Sequence, residues 1–433
     1  MLLYLAQAAR KRLTRFRPRH FITLTERMAA DRVRWTHALG ELPPGEGAIV
    51  IGAPGSYSMN RELARLRAGG AYVFDALTTA EKDALARGRQ ALVLDMGWEA
   101  LYPTVQVVKG VIEGVKDSGL DPARIRLVHC NQAARAVFEA RWRELTDLEP
   151  CLSLEFPTSF ALGVLHQHAN RDDGQVRDRI VQARARIERG DKSRRYNCFN
   201  GEARPARLHF IAWLHSQGAL NDGYVSLLDF AKKRAPRARG AGAPRAAPLQ
   251  YQRMMGRLPR FSDIYPSVDP VMRMVPIELD LKRGRGKPDL KTFAWSSQDP
   301  KYYDDSWFSV VIDTGALDRD MLFITEKAMK PFMNASPMLY LGNAGAWAQL
   351  GRYGFEGYGP QIDEAYDASA DEIARMGLVM DEFSRLAALS PDDMRELCRQ
   401  AWPAIEHNYG QFWGDAPQRL RASFHTDVLD RLC

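Results

Sequence analysis

One stretch, residues 308–342, constrains the fold of this chain more than any other. Phe308-Ser-Val-Val-Ile312 is a short apolar, β-branched run of the kind that fills a strand buried on both faces. Asp313-Thr314-Gly315 closes the run. Thr325 then stands as a good N-cap for a helix opening with Glu326 and Lys327. Lys330 lies about one turn further on, so the lysines share a face. Pro331 predicts that this helix is short or kinked. Met338-Leu-Tyr-Leu341 reads as a second buried strand, ended by Gly342-Asn343. The sum is a strand–helix–strand unit of a parallel α/β sheet. A helix that starts after such a strand is a natural place for a phosphate, because free amides and the positive dipole end favour an anion. The same residues also read as a solvated helix start whose charges only cap and pair.

The rest of the chain alternates in the same way. Gly47-Ala-Ile-Val-Ile-Gly52, Ala91-Leu-Val-Leu-Asp95 and Ile125-Arg-Leu-Val-His129 predict strands. Helices are expected at 60–68, 79–89, 105–118 and 132–146. The turn Ala53-Pro-Gly-Ser-Tyr-Ser58 is phosphate-loop-like in composition but has neither the Gly-x-Gly-x-x-Gly nor the Walker spacing. A charged, helical connector is expected at 171–194, so the division falls at 1–190 and 191–433. The second part opens with a strand at 195–200 and the turn Gly201-Glu-Ala-Arg204-Pro-Ala-Arg207. A helix over 208–217 and a strand over 224–228 follow. Residues 232–250, rich in Arg, Gly, Ala and Pro, read as a mobile surface loop. The tail, 371–433, reads as several helices.

Thr325-Glu326-Lys327 with Lys330, between an aromatic-led strand and a Pro337-to-Gly342 strand, resembles the donor-binding motif of the alpha-1,3-fucosyltransferases and the related exostosin-like glycosyltransferases. The close match covers about a tenth of the chain. It departs at Asp313-Thr314, where that family has Glu-Asn, at Lys330, where it has Arg, and at Pro331. The resemblance implies a GT-B fold: two Rossmann-like domains facing a cleft, with C-terminal helices and the nucleotide-sugar on the second domain. It implies a GDP-sugar donor, a glycan or glycolipid acceptor in a pathway such as bacterial surface polysaccharide synthesis, and no cofactor or metal. It further places Glu326 on the ribose hydroxyls and raises Arg207 as a diphosphate ligand. Thr325, Asp313 and Asn200 join the candidate nucleotide-sugar site as strand-end and helix-start residues.

A chain of 433 residues, 45% hydrophobic and 26% charged, is long enough for two soluble domains. Five cysteines, Cys130, Cys151, Cys198, Cys398 and Cys433, show no CxxC spacing, which argues against a zinc site or disulfide framework and suits a reducing cytoplasm. No apolar run approaches membrane-spanning length, and the apolar start is not read as a signal peptide. The net charge of +7 suits an anionic substrate. The basic run 9–19, with Leu2, Leu3, Leu5 and Leu13, reads either as a peripheral contact with the inner membrane face or as a helix packed on its own domain. No nucleic-acid motif is present, and charge alone is weak support for one.

Sugar transfer needs stabilisation of the leaving diphosphate and a base for the acceptor hydroxyl. Lys327, Lys330 and Arg207 are the cations for the first. For the second, Glu99 and Asp95, in Asp95-Met-Gly-Trp98-Glu99 at a strand end, are the candidates, with His129 behind them. Asp95 as a helix cap and His129 as a structural histidine are the competing readings. Asp318-Arg-Asp320 is formally an Asp-x-Asp but reads as a loop. The acidic, tyrosine-containing segment 361–367 either borders the sugar or caps a helix starting near Ser369. A non-catalytic glycan- or partner-binding protein of the same fold is the alternative function.

Overall fold

A computed structural model describes residues 1–10, 19–43, 45–52, 67–68, 71–88, 90–96, 103–227, 249–277, 279 and 299–432. They form an α/β protein with two parallel sheets and many helices, consistent with a Rossmann-like α/β fold. The chain divides into two compact units. The first is Met1–Leu165 with Asp320–Phe323 and Pro417–Cys433, and the second is His166–Arg319 with Ile324–Ala416. The change falls at 165/166, before the 190/191 division drawn from the charged connector, which forms the helix Asp173–Arg189 of the second unit.

In the first unit the strands are β1 (Leu2–Leu5), β2 (Arg34–Thr36), β3 (Gly47–Gly52), the short pair β4 (Arg67–Ala68) and β5 (Ala71–Tyr72), β6 (Ala91–Asp95), β7 (Ile125–His129) and β8 (Leu152–Glu155). Six of them make one parallel sheet in the order β2-β1-β3-β6-β7-β8. Every residue of β3 and β6 is buried, which is why these strands read as unbroken apolar runs. The helix Val105–Ser118 covers a face with Val107, Val108, Val111, Ile112 and Val115. Thr104 caps its start, and Gly119 ends it at φ 69, a left-handed conformation that glycine adopts without strain.

Two expectations change here. Residues 67–68 pair as a strand with 71–72 rather than ending a helix, and 60–66 lie outside the described residues. Leu3 and Leu5 are buried in β1, between β2 and β3, so they belong to the core and to no membrane-facing stripe. Leu13 and most of the basic run lie outside the described residues. Among the described residues, no helix is long and apolar enough to cross a membrane.

In the second unit β9 (Arg194–Asn200), β10 (Gly223–Leu227), β11 (Ser306–Ile312) and β12 (Met338–Leu341) form a parallel sheet in the order β10-β9-β11-β12. The register pairs Cys198 with Val310 and Ile312 with Leu341. Phe383, on the helix Glu372–Ala388, meets Tyr196 at 4.9 Å, Trp213 at 5.3 Å, Phe210 at 5.5 Å and Phe308 at 5.9 Å between ring centroids. These edge-to-face contacts fix that helix to the sheet and to the helix Pro205–Ser216. Residues 228–248 lie outside the described set, and Leu249 begins the helix Leu249–Met254, inside the range expected as loop.

Glu81 anchors the amino-terminal strand. Its fully buried carboxylate accepts from the Tyr4 hydroxyl at 3.0 Å and from the amides of Gln7 at 2.6 Å and Thr78 at 2.8 Å. Glu81→Ala leaves three donors without an acceptor and is expected to destabilise the protein by about 3 kcal/mol. Urea titration checks this; a loss under about 0.5 kcal/mol contradicts the anchoring role.

Candidate anion-binding site

The site lies at the carboxyl ends of β9, β11 and β12, inside the second unit. The helix Glu326–Met333 begins with Thr325, whose hydroxyl accepts the Lys327 amide at 3.3 Å. The helix is short, eight residues, with Pro331 inside its last turn. Pro331 has no N–H to return to the Lys327 carbonyl, and Asn334 Nδ2 takes the Lys330 carbonyl at 2.8 Å as the helix ends.

Asp313 organises this start. Its Oδ1 accepts the Thr314 amide at 2.6 Å and the Thr325 hydroxyl, and its Oδ2 accepts the Thr325 amide at 3.0 Å and the Tyr340 hydroxyl at 2.7 Å. A carboxylate offers about four lone-pair sites. All are used here, and Asp313 is 2% exposed, so it supports the site and presents no oxygen to a ligand. Gly315, at φ 78, turns the chain just beyond it.

Three cations gather on this frame. Lys327 Nζ reaches the Thr325 hydroxyl at 3.3 Å and Glu326 Oε1 at 2.9 Å. Arg207 is 2% exposed, because the helix expected from Leu208 starts at Pro205 and puts Arg207 in its first turn. It donates from Nε to the Ile312 carbonyl at 3.2 Å and from Nη2 to the Thr314 hydroxyl at 3.0 Å. Burial, then the Arg204 charge, lowers its pKa to about 10, with Asp313 and Glu326 opposing. Lys330 is half-buried and hydrogen-bonds to no side chain among the described residues. Burial lowers its amine to about 8; Glu326 opposes this, and Lys327 and Arg207 add to it. Asn200, the last residue of β9, is 2% exposed; its Nδ2 lies 3.2 Å from Cys198 Sγ and its Oδ1 is buried without a partner among the described residues.

The other candidates fall elsewhere. Glu99, Trp98 and the 53–58 turn lie outside the described residues. Asp95 ends β6, is 5% exposed, and accepts the Phe21 amide at 3.3 Å in the first turn of the helix Arg19–Met28. That is the helix-capping reading, with a helix distant in sequence. His129 is fully buried: its Nδ1 accepts the Asn131 amide at 3.2 Å, so Nε2 carries the proton toward Ser153 Oγ at 2.5 Å. Burial lowers its pKa to about 3, and both ring nitrogens are occupied, which makes it structural. Asp320 pairs with Arg141 at 3.3 Å. No group of three metal-ligating side chains occurs among the described residues.

The 361–367 segment braces the second unit. Glu364 accepts the Tyr358 amide at 2.9 Å, and burial raises its carboxyl to about 7. Asp367 accepts the Trp347 amide at 3.2 Å, at the start of the helix Ala346–Arg352. Its capping therefore serves that helix, while Asp371 caps the helix Glu372–Ala388. Three supporting residues escaped the sequence reading: Tyr340, Thr314 and Arg375. Arg375 donates to the carbonyls of Gly342 at 3.0 Å, Ala316 at 2.9 Å and Ser369 at 2.6 Å. A tyrosine inside Met338-Leu-Tyr-Leu341 was the one available signal, since a buried phenol needs a partner.

Asp313→Ala strands the Thr325 amide, the Thr314 amide and the Tyr340 hydroxyl, and is expected to lower stability by about 3 kcal/mol or more in urea titration. An unchanged midpoint contradicts the organising role. A second expectation concerns acid. His129 is neutral when folded, with a pKa near 3, against 6.5 when exposed, so the unfolded chain binds the extra proton. Its contribution is complete above pH 6.5 and declines as pH falls from there toward 3. His129→Gln should flatten the fall in melting temperature across that window; a parallel pH profile contradicts it.

Compared with models of protein families and with characterised proteins, the chain matches none.

Proposed function

We propose that this chain is a metal-independent, inverting glycosyltransferase, and that the strand-end cluster of its second unit holds the diphosphate of a nucleotide-diphospho-sugar. The observation that carries the reading is that Arg207, held at the end of β11, and Lys327 and Lys330, on the helix Glu326–Met333, lie close enough to feel one another's charge, with Lys330 hydrogen-bonded to no described side chain. Burial lowers the Lys330 amine, with lesser contributions from the Lys327 and Arg207 charges, and a bound dianion would favour its charged form. Ligands of open parallel sheets bind beyond the carboxyl ends of the strands, where this cluster sits.

In this reading Lys330, Lys327 and the remaining N–H groups of Arg207 bind the diphosphate oxygens. They do the charge-neutralising work a divalent ion does elsewhere. Glu326 accepts the ribose hydroxyls, a GDP-sugar being the donor that the Thr-Glu-Lys resemblance favours. The acceptor hydroxyl of a glycan or glycolipid attacks the anomeric carbon. The bond from that carbon to the diphosphate breaks, its electron pair leaves with the diphosphate, and the hydroxyl proton passes to a carboxylate. Glu99 is the base in this scheme, since Asp95 is occupied by the Phe21 amide. GT-B architecture, with the two units facing across a cleft, belongs to the same proposal. Nucleotide binding without transfer would identify the alternative, a non-catalytic relative.

Lys330→Ala and Lys327→Ala should each weaken GDP binding about tenfold to a hundredfold, the loss of one charge-assisted phosphate contact. Titration calorimetry in excess EDTA measures it. Affinities equal to wild type contradict the assignment, and binding that vanishes with EDTA contradicts metal independence.

A further inference from the structure

Asn200 carries an unexplained feature. It is 2% exposed, and its Oδ1 has no hydrogen-bond partner among the described residues. Among the described residues its Nδ2 meets the Cys198 sulfur alone, at 3.2 Å. Turning the carboxamide over would let the thiol donate to Oδ1 but would strand Nδ2 instead, so one end is open in either orientation. A buried amide end without a partner costs about 1–3 kcal/mol, and folded proteins rarely retain one without a use.

Its position supplies the use. Asn200 is the last residue of β9, and extending the register from Cys198 opposite Val310 sets it beside Ile312. The Ile312 carbonyl is the one that Arg207 Nε takes at 3.2 Å. Cys198, on the same face of β9 as Asn200, feels the Arg207 charge. The open carboxamide and the buried guanidinium therefore share one strand end.

We infer that Asn200 is a ligand-contacting, specificity-determining residue, whose open carboxamide oxygen accepts a hydrogen bond from a hydroxyl of the bound molecule. The site then selects a hydroxyl-bearing phosphate ester, a glycosyl or ribosyl diphosphate, over a bare polyphosphate of similar charge. This rests on the anion-binding reading of Arg207, Lys327 and Lys330. Selectivity of this kind arises because a built acceptor, left unpaired by the wrong ligand, costs that ligand affinity.

The test titrates inorganic pyrophosphate, GDP and GDP-fucose into wild type, Asn200→Ala and Asn200→Asp. Asn200→Ala should weaken GDP or GDP-fucose about five- to tenfold and leave pyrophosphate unchanged. Loss confined to GDP-fucose assigns the hydroxyl to the sugar, and loss for both assigns it to the ribose. Asn200→Asp keeps the acceptor but adds a negative charge beside Arg207, so it should weaken all three. Because Asn200→Ala removes an unpaired group, its melting temperature should equal or exceed that of wild type; a drop of several degrees overturns the inference in favour of a structural asparagine. Equal weakening of pyrophosphate and the nucleotides, or none, also overturns it while leaving the anion site standing. Wild type that binds none of the three overturns both.

Discussion

The second unit's site depends on one carboxylate. Asp313 stands where β11 ends and receives donors from its own turn, from the following helix start and from the neighbouring strand. It thereby ties β11, β12 and Thr325 together in one buried network. Because the Thr325 hydroxyl donates to Asp313, its lone pairs are turned toward the Lys327 amide and ammonium. The position of Lys327 thus follows from an acid that touches no ligand. Buried networks of this kind are rigid when every member is satisfied and costly when one is removed.

On that frame the charges are only partly answered. Glu326 answers Lys327 at 2.9 Å, Arg207 is spent partly on the Ile312 carbonyl and the Thr314 hydroxyl, and Lys330 has the Glu326 field but no direct side-chain partner among the described residues. The Asp313 carboxylate is enclosed by Thr325 and Tyr340. Pro331 lies inside the helix, which ends two residues later at Met333.

The parallel strands were legible because both of their faces are covered, which turns them into uninterrupted apolar runs such as Gly47–Gly52 and Ala91–Asp95. The helix start at Thr325 was legible from its cap. What escaped depended on distant partners. Leu2–Leu5 is a strand only because Arg34–Thr36 and Gly47–Gly52 flank it, and four residues carry too little period to say so. Asp95 looked like a strand-end acid open to chemistry, yet the Phe21 amide, seventy-four residues away, takes it. Arg207 was read just outside a helix because Arg-Pro-Ala resembles a turn, whereas proline at the first helical position starts one. Nothing local marks Asp320–Phe323 as part of the first unit; Asn131 receives the Leu322 amide at 2.8 Å through a contact of long sequence separation.

The central claim is that the cation cluster around Lys330 is a diphosphate site. A thermal-shift panel of nucleosides, nucleoside mono- and diphosphates and nucleotide-diphospho-sugars tests it most directly, because a ligand that binds the folded state raises apparent stability in proportion to the logarithm of its concentration over Kd. The account predicts no shift with guanosine, and a concentration-dependent rise with GDP and GDP-sugars that Lys330→Ala diminishes. A panel in which no diphosphate shifts the melting temperature, or in which Lys330→Ala responds as wild type does, contradicts it.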